Sequence, residues 1–335
     1  MKKNYLQLAM DTAKRHDIEV EFLEQDALKR RFPQFRYHED TELVGLLEPG
    51  AGFVRPERAM NAALQQAEEC QEEVTIWENA VVKSLQELPS KTLSSDAGRP
   101  EVEIVVERGK DQVKMKTQTV LISAGAWASQ LVPSWSKHLT VTRQVQGWAD
   151  ITQSESLDLY KPEMMPTFIM ATKNWHLPFF GAPVTTEENG PPGRGVKVGT
   201  HNDVDKIEDP TNNPTVISEK EIEEYQRAVE IVIDGKAWSK ATAKSPSNLL
   251  QTIPCMYTMT PDEDFLIGVP EEFQSVYGIT GLSGHGFKMT PALGQMLADF
   301  HLIGEEKLNA KWNPHVFCSP SRFDRGINDD DCLKT

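Results

Sequence analysis

The stretch Gly281-Leu-Ser-Gly-His-Gly-Phe-Lys288 decides how the rest of the chain is organised. Three glycines within six residues allow the backbone of a loop to approach a bound group closely. Residues 275–280 before the loop predict a short buried strand. Residues 289–300 after it predict a helix, with Thr290 as N-cap and Pro291 at the first helical position. The expected local structure is a strand, a glycine-rich loop and a helix N-terminus.

This loop has the composition of a binding site for an anionic or electron-rich group. The N-terminus of a helix attracts negative charge, and His285 and Lys288 add a titratable imidazole and a positive charge. The alternative interpretation is a glycine-rich connection that carries two solvated charges. Local features leave both interpretations open.

Length and composition limit the class of protein. A chain of 335 residues is long enough for two domains and a large core. No apolar run of about 18 residues predicts a membrane span, and residues 1–5 lack the apolar core of a signal peptide. We therefore expect a cytoplasmic protein. The net charge of −15 argues against nucleic acid or an anionic membrane as the main partner.

The cysteines do not predict a metal site. They are scattered at Cys70, Cys255, Cys318 and Cys332, without the spacing of metal ligands. Structural disulfides are uncommon in cytosolic proteins, so each cysteine is expected to be a thiol.

The chain before the glycine-rich loop predicts both helices and strands. Residues 56–72 predict a helix, and residues 101–115 predict a β-hairpin or meander. Residues 119–127 read as a buried strand that ends in a turn of small residues. From Val141 onward, aromatic segments separated by turns predict an antiparallel sheet. The side of the first helix that we expect to be buried consists of Met60, Ala63, Leu64 and Ala67.

One predicted strand could present two polar side chains to a ligand. Lys197 and His201 lie four residues apart within residues 195–201, so both point to the same face of a strand. That face could be a ligand-binding surface. The alternative, which is the more common outcome, is a solvated lysine and histidine on an exposed face.

Several of these segments together resemble a known family. Residues 255–267 and 279–288 resemble stretches of monomeric sarcosine oxidases and N-methyltryptophan oxidases, which are flavoprotein amine oxidases of the D-amino-acid-oxidase-like group. Further matching segments occur in the family order, at residues 47–53, 122–127, 143–145 and 196–201. The chain is identified as a member of this family along nearly its whole length.

The resemblance implies a covalently bound FAD. Cys255 matches the cysteine that forms a thioether with the flavin ring, and a thiol beside an electrophilic ring can act as a nucleophile. Residues 281–287 match the segment along the isoalloxazine, and Val82 matches a contact near the adenine. The flavin-contacting residues that the resemblance implies are Val82, Ala124, Gly125, Trp127, Cys255, Gly281, Ser283, Gly284, Gly286, Phe287 and Lys288.

The resemblance also implies catalytic residues. Lys288 matches a lysine that helps to hold the substrate carboxylate, and Tyr257 and His285 match residues that line the substrate and flavin site. Lys197 matches the lysine that activates oxygen, where a positive charge stabilises developing superoxide. His201 matches the neighbour of that lysine.

The implied activity is that of an FAD-dependent oxidoreductase acting on a CH–NH group with oxygen as acceptor. A secondary amino acid such as sarcosine or N-methyltryptophan is oxidised to an imine, as hydride equivalents pass from its methyl carbon to flavin N5. Oxygen is then reduced to hydrogen peroxide, so the cofactor supplies the chemistry and the protein positions it. Phe179-Phe180 stands where the family has an active-site tyrosine, which together with Trp175 predicts a bulkier or more apolar amine.

One feature of the family pattern is absent from this sequence. The family carries a strand, a Gly-x-Gly-x-x-Gly turn and an acid for the ribose in its first quarter, and no such fingerprint occurs here. We therefore expect the chain to lack the N-terminal dinucleotide-binding segment. The sequence could then be an incomplete chain of a functional oxidase, or a shortened, catalytically silent relative that cannot bind FAD normally. A further alternative is an oxidase of related amines such as pipecolate or fructosyl amino acids.

The resemblance implies an α/β fold of two interleaved domains. A Rossmann-like (glutathione-reductase-type) FAD-binding domain, truncated at its N-terminus, is expected to comprise residues 53–137 and 261–335, with a polar C-terminal tail. Residues 1–52 and 138–260 are expected to form a substrate domain built on an antiparallel sheet. The family favours a monomer.

Overall fold

The computed structural model describes residues 5–38, 42–70, 74–89, 99–151, 156–172, 178–185, 195–201, 205–238, 249–312 and 318–323. Their helices are α1 (Tyr5–Arg15), α2 (Gln25–Arg31), α3 (Pro56–Glu69), α4 (Ala128–Leu131), α5 (Pro133–Ser136), α6 (Glu219–Val232) and α7 (Thr290–Trp312). Their strands are β1 (Glu21–Leu23), β2 (Gly45–Leu47), β3 (Ala80–Glu87), β4 (Val102–Arg108), β5 (Asp111–Thr117), β6 (Val120–Ile122), β7 (Thr140–Asp150), β8 (Phe168–Met170), β9 (Phe179–Ala182), β10 (Gly195–Thr200), β11 (Lys206–Ile207), β12 (Leu249–Met259), β13 (Leu266–Gly268) and β14 (Val276–Thr280). Among the described helices, none has the length and apolar composition needed to cross a membrane.

The chain divides into two compact units. Unit 1 consists of Met1–Val54, Gln144–Asp203 and Pro214–Cys255, and unit 2 consists of Arg55–Arg143, Val204–Asn213 and Met256–Thr335. The predicted domains had boundaries after residues 52, 137 and 260, and they kept residues 204–213 in the substrate domain. Which unit binds FAD and which binds substrate remains a prediction.

Unit 1 is built on an antiparallel sheet. β10 pairs with β7 along one edge and with β9 along the other. β8 pairs with β9, and β12 pairs with β7. The predicted antiparallel sheet is thereby confirmed. Val196 and Val198 of β10 are fully buried in the core, and Lys197, on the opposite face of the strand, is part-buried.

Helix α6 closes the core of unit 1. Its first turn has a capping box, in which the Glu221 backbone N–H donates to Ser218 Oγ and the Ser218 backbone N–H donates to the Glu221 carboxylate. Tyr225 of α6 is buried, and its hydroxyl lies between the backbones of Gly147 and Val198. Burial raises the pKa of the Tyr225 phenol. The hydroxyl therefore stays protonated and joins helix to sheet.

Unit 2 contains a three-stranded sheet in the order β13–β14–β6. β14 is antiparallel to β13 and parallel to β6, and all its residues are buried. On one face, the Tyr277 ring stacks on Phe300 of α7 with centroids 4.5 Å apart. On the other face, Trp135 lies against Gly278, where a Cβ atom would be 2.6 Å from the indole. A second sheet, β3–β4–β5, confirms the predicted hairpin.

The predicted buried side of α3 is wrong. No residue of α3 is buried, and the side chains of Met60 and Leu64 are 53% and 47% exposed. The helix forms because Pro56 begins it and the following sequence, rich in alanine and glutamate, favours helical structure. The helix is amphipathic in sequence, but Met60 and Leu64 on its apolar side are exposed and Ala67 is only part-buried.

Two further expectations need correction near the C-terminus. Thr290 is not an N-cap: it has helical backbone angles, and its hydroxyl donates to the carbonyl of Phe287 at 2.9 Å. A 3₁₀ turn, Phe287–Met289, precedes the helix instead. The predicted polar tail is also partly wrong, because Arg322 is only 3% exposed. The remaining tail residues, 324–335, lie outside the described part of the chain.

Candidate functional site

The loop between β14 and α7 has a backbone that favours small residues. Gly281 and Gly284 have φ values of +59° and +80°, in the left-handed region that glycine adopts without strain. Ser283, at φ +47°, is also left-handed. Its N–H donates to the carbonyl of Thr258 at 3.0 Å, and its Oγ accepts from the N–H of Thr260 at 3.3 Å. These bonds tie the loop to the end of β12.

Tyr257 of β12 lies directly against this loop. A Cβ atom at Gly284 would be 2.5 Å from Tyr257 Cε2, so only glycine allows the ring to occupy this place. Cys255 lies two residues earlier in the same strand and therefore points to the same side of it. Cys255 is part-buried. The structure thus brings Tyr257 together with the glycine-rich loop.

The turn after β6 lies beside the loop after β14. The two strands are parallel neighbours, so their carboxyl ends meet at one edge of the sheet. The Thr280 hydroxyl donates to the carbonyl of Gly125 at 3.1 Å. Gly125 has φ +51°, and no atom of the described chain lies within 4 Å of where its Cβ would be. Ala124, Gly125 and Trp127 are therefore gathered next to Gly281, with backbone open to a bound group.

The loop residues differ in their exposure. The predicted loop residues that are buried are Gly281, Ser283 and Gly286, and those that are exposed are Gly284, His285, Phe287 and Lys288. Lys288 sits in the 3₁₀ turn directly before α7. An exposed ammonium at this position can attract an anionic group.

His285 is held in a defined orientation. Its Nε2 lies 3.0 Å from the carbonyl oxygen of Glu263. Its ring centroid is 5.1 Å from that of Phe265, with the rings tilted by 32°. Because a carbonyl can only accept, Nε2 carries the proton in this arrangement. Nδ1 is then the ring nitrogen that can accept a proton.

In unit 1, Lys197 lies over an aromatic ring. Lys197 of β10 is paired in register with Trp148 of β7, and its Nζ is 5.6 Å from the ring centroid. This distance is within the range of a cation–π contact. The contact holds the ammonium at a part-buried position, where its electric field is screened less than at the surface.

His201 follows β10 and lies on the same face as Lys197. Its ring centroid is 5.0 Å from that of Phe180. Gly199, between the two, makes room for the phenyl ring, because a Cβ atom at Gly199 would be 2.4 Å from Phe180 Cζ. Lys197, Phe180 and His201 therefore share one face of the sheet. Phe179 is fully buried on the opposite face.

Some predicted residues lie neither around the loop Gly281–Lys288 nor on the face of β10 that carries Lys197. Val82 lies on β3, in a different sheet from the loop, and is 39% exposed. Trp175 lies outside the described residues. Trp148 and Glu263 are contacts that the sequence reasoning missed. Trp148 could have been found only from the register of β7 against β10, and Glu263 contributes a backbone carbonyl, which its side chain does not reveal.

The arrangement in unit 2 fits the ring end of a flavin. Gly125 and Gly281 form two turns at one edge of a parallel strand pair, and the backbone at Gly125 is open. Exposed Phe287 can cover an aromatic ring. Lys288 adds a positive charge at the same loop. The Gly-x-Gly-x-x-Gly fingerprint that binds pyrophosphate does not occur in this sequence. The residues described here therefore fit only the isoalloxazine ring of the flavin.

Comparison with curated proteins gives relatives of moderate similarity. N-methyl-L-tryptophan oxidase of Salmonella arizonae is 26% identical over 291 residues, covering 87% of this chain and 67% of that protein. Monomeric sarcosine oxidase of Streptomyces avermitilis is 27% identical over 310 residues, covering 88% of this chain and 68% of that protein.

Comparison with solved structures supports the fold. L-proline dehydrogenase from P. horikoshii matches with a TM-score of 0.63 and 20% identity, covering 96% of this chain and 73% of that chain. The α/β fold with interleaved sheets and helices is thereby confirmed. The model of the DAO family, described as FAD dependent oxidoreductase, matches residues 2–300. The chain therefore belongs to the DAO family of FAD-dependent oxidoreductases.

Proposed function

We propose that this protein oxidises a secondary amino acid at its CH–NH bond, with FAD as cofactor and oxygen as acceptor, forming an imine and hydrogen peroxide. The observation that carries the proposal is the loop Gly281–Lys288, which lies at the carboxyl edge of the parallel pair β6/β14 with Tyr257 packed against it. Relatives named for oxidation of N-methyl-L-tryptophan and sarcosine support the amine class.

The substrate is held through its carboxylate. In this proposal Lys288 supplies the positive charge, because its ammonium is exposed at the end of the loop. Tyr257 and His285 line the same loop and limit the orientation of the amine. His285 Nδ1 is the group available to take up a proton from the substrate ammonium, since Nε2 donates to Glu263. FAD, when bound, accepts the hydride equivalent and transfers electrons to oxygen.

We assign to Lys197 the role of promoting the reaction of reduced flavin with oxygen. A fixed positive charge favours reduction of oxygen because it stabilises the negative charge that develops. Trp148 holds the Lys197 ammonium at a part-buried position. His201 stays next to Phe180 on the same face. Both residues keep the roles that the family resemblance implies.

Cys255 is the proposed site of covalent attachment. It is part-buried on β12 and points to the same side of that strand as Tyr257. A thioether at Cys255 would keep the flavin bound when the protein is denatured. Contacts with FAD are assigned to Val82, Ala124, Gly125, Trp127, Gly281, Ser283, Gly284, Gly286, Phe287 and Lys288.

Phe180 favours a bulky or apolar amine as the substrate. Its ring lies over Gly199 and presents carbon, not a hydroxyl, to the face that carries Lys197 and His201. An apolar wall favours apolar substituents on the substrate. We expect kcat/KM for N-methyltryptophan or pipecolate to exceed that for sarcosine. Sarcosine as clearly the best substrate would contradict this preference.

The decisive experiment is spectroscopic. The purified chain should be yellow, or become yellow with added FAD, and wild-type protein should remain yellow after acid precipitation. Cys255→Ser should release its flavin under the same treatment, while Cys70→Ser, at an exposed site, should not. Peroxide formation is then measured with sarcosine, N-methyltryptophan, pipecolate and a fructosyl amino acid. A protein that stays colourless with added FAD would favour a catalytically silent relative.

A further inference from the structure

Arg322 lies in a segment distant in sequence from the candidate site, yet it is among the most buried charged residues described. Only 3% of it is exposed. Its Nε and Nη2 donate to the two carboxylate oxygens of Asp262 at 2.6 and 2.9 Å. Its Nη1 donates to the carbonyl of Ser319 at 3.2 Å. The guanidinium is also 4.1 Å from the centroid of the Phe323 ring. Such a bidentate pair fixes geometry as well as charge.

The Arg322 guanidinium binds the turn that follows β12 at the residue before Glu263 and at the residue after it. It holds the Asp262 side chain before Glu263, and its Nη2 also donates to the carbonyl of Asp264 at 3.4 Å. Asp262 Oδ1 accepts in addition from the N–H of Asp264 at 3.2 Å. Glu263 itself has φ +64°, a left-handed conformation that costs a non-glycine residue about 1 kcal/mol or more. The clamp offsets that cost.

The clamped residue is the one that contacts His285. The carbonyl of Glu263 lies 3.0 Å from His285 Nε2, and Phe265 flanks the imidazole ring at 5.1 Å. The direction of this carbonyl is set by the backbone angles of Glu263. Without Arg322 the carbonyl would be held less firmly, and the Nε2–H tautomer of His285 would lose part of the stabilisation that this hydrogen bond gives it.

We propose that Arg322 is a positioning residue for His285: through Asp262 and the Glu263 carbonyl it fixes the Nε2–H tautomer and leaves Nδ1 available to accept a proton. The consequence for turnover rests on the proposed function. The tautomer itself does not depend on the proposed function, because the contacts that fix it are all made between residues of this protein.

The test is measurement of the His285 tautomer by ¹H–¹⁵N correlation spectroscopy of protein labelled at histidine, at a pH where the ring is neutral. His285→Gln identifies the resonance. In the wild type, the Nε2–H tautomer should dominate. In Arg322→Met, the ratio of Nε2–H to Nδ1–H tautomers should fall by about twofold to tenfold, as expected for one lost hydrogen bond.

If Arg322→Met does not fold, the tautomer ratio can be measured in two more conservative variants. Arg322→Lys keeps the charge but not the bidentate geometry, and Asp262→Asn keeps an acceptor but not the charge, so each should shift the tautomer ratio part of the way. Lys311→Met is the matched control, because it breaks the 2.6 Å ion pair with Asp299 in the same unit without contacting the turn at Glu263. It should leave the tautomer unchanged.

An unchanged tautomer ratio in folded Arg322→Met, or in both conservative variants, would overturn the proposal. The same would hold if Lys311→Met shifted the ratio equally, since the effect would then be a general loss of stability. If the tautomer shifts as expected but the wild type oxidises no amine, the positioning role stands and the proposed function fails. If the wild type is active, the pH profile of kcat/KM should change in Arg322→Lys and not in Lys311→Met.

Discussion

The ring of Tyr257 occupies the volume into which a side chain at residue 284 would point. A Cβ atom there would be 2.5 Å from Tyr257 Cε2, and Gly284 has φ +80°. Both the steric contact and the backbone angle therefore require glycine. This relationship ties the glycine-rich loop to β12 and fixes the position of the one tyrosine assigned to the candidate site.

Gly284→Ala should destabilise the protein. The left-handed backbone costs alanine about 1–2 kcal/mol, and displacement of the Tyr257 ring adds about 1–3 kcal/mol. We expect urea unfolding to show a loss of about 2–5 kcal/mol, with a reduced affinity for FAD. The matched control is Gly294→Ala in α7, where a Cβ atom has no neighbour within 4 Å among the described residues. That change should stabilise the helix by about 0.5–1 kcal/mol. Equal effects of the two substitutions would contradict the packing argument.

Lys197→Met should separate the two halves of the proposed reaction. The methionine keeps the length of the side chain and its contact with Trp148 but removes the charge. Oxidation of reduced flavin by oxygen should slow by about 10²- to 10³-fold, in line with the loss of one electrostatic stabiliser. Reduction of the flavin by the amine, followed under anaerobic conditions, should be nearly unchanged.

The control for this prediction is Lys220→Met, since the Lys220 side chain is 84% exposed on α6. It should alter neither half-reaction. Turnover with an artificial electron acceptor should also survive in Lys197→Met. A slower reductive half-reaction in Lys197→Met would show that this lysine acts on the amine and not on oxygen.

The sequence predicted the local structure around the site better than its long-range contacts. The strand before Gly281 and the turn at Gly125 follow from runs of apolar residues and from glycine. The position of Trp148 under Lys197 does not, because it depends on the register between β7 and β10. The contact of Arg322 with Asp262 joins residues 60 positions apart. A polar segment gives no local sign that one arginine will be buried in a bidentate pair.

Helix α3 illustrates a second limit of sequence patterns. An amphipathic pattern shows which side of a helix could be buried, but not whether any part of the chain covers it. Met60 and Leu64 are 53% and 47% exposed. Met60→Lys with Leu64→Lys should therefore change the free energy of unfolding by less than about 1 kcal/mol. Binding of a hydrophobic dye to the folded protein should decrease.

The control is a lysine substitution in α6, which has 14 residues, as α3 does. Val229 of α6 is fully buried, and Val229→Lys would place an unpaired charge in the core of unit 1. It should prevent folding or cost more than about 4 kcal/mol. A comparable loss of stability in the α3 variant would mean that this face of α3 is covered in solution.

Protonation of Asp299 at low pH should weaken the packing of α7. Asp299 is nearly buried, and its carboxylate accepts hydrogen bonds from Lys311 at 2.6 Å, Trp312 at 2.7 Å and Gln295 at 3.1 Å. The bonds from Lys311 and Trp312 hold the pKa of Asp299 below its usual range. These contacts cross Gly304, at which the helix bends with φ +81°.

The sign of the pH dependence follows from this lowered pKa. The folded state binds the Asp299 proton less tightly than the unfolded state, so the stabilisation is complete above the usual carboxyl pKa and is lost as pH falls through the lower pKa of the folded state. Asp299→Asn should lower Tm at neutral pH, and its difference from the wild type should shrink as the pH falls below about 4. Thermal unfolding between neutral pH and about pH 3 measures this. Asp158→Asn, which removes an exposed ion pair with Lys161, should keep a Tm close to that of the wild type throughout. A difference between Asp299→Asn and the wild type that does not change with pH would assign the effect to the shape of the side chain and not to its charge.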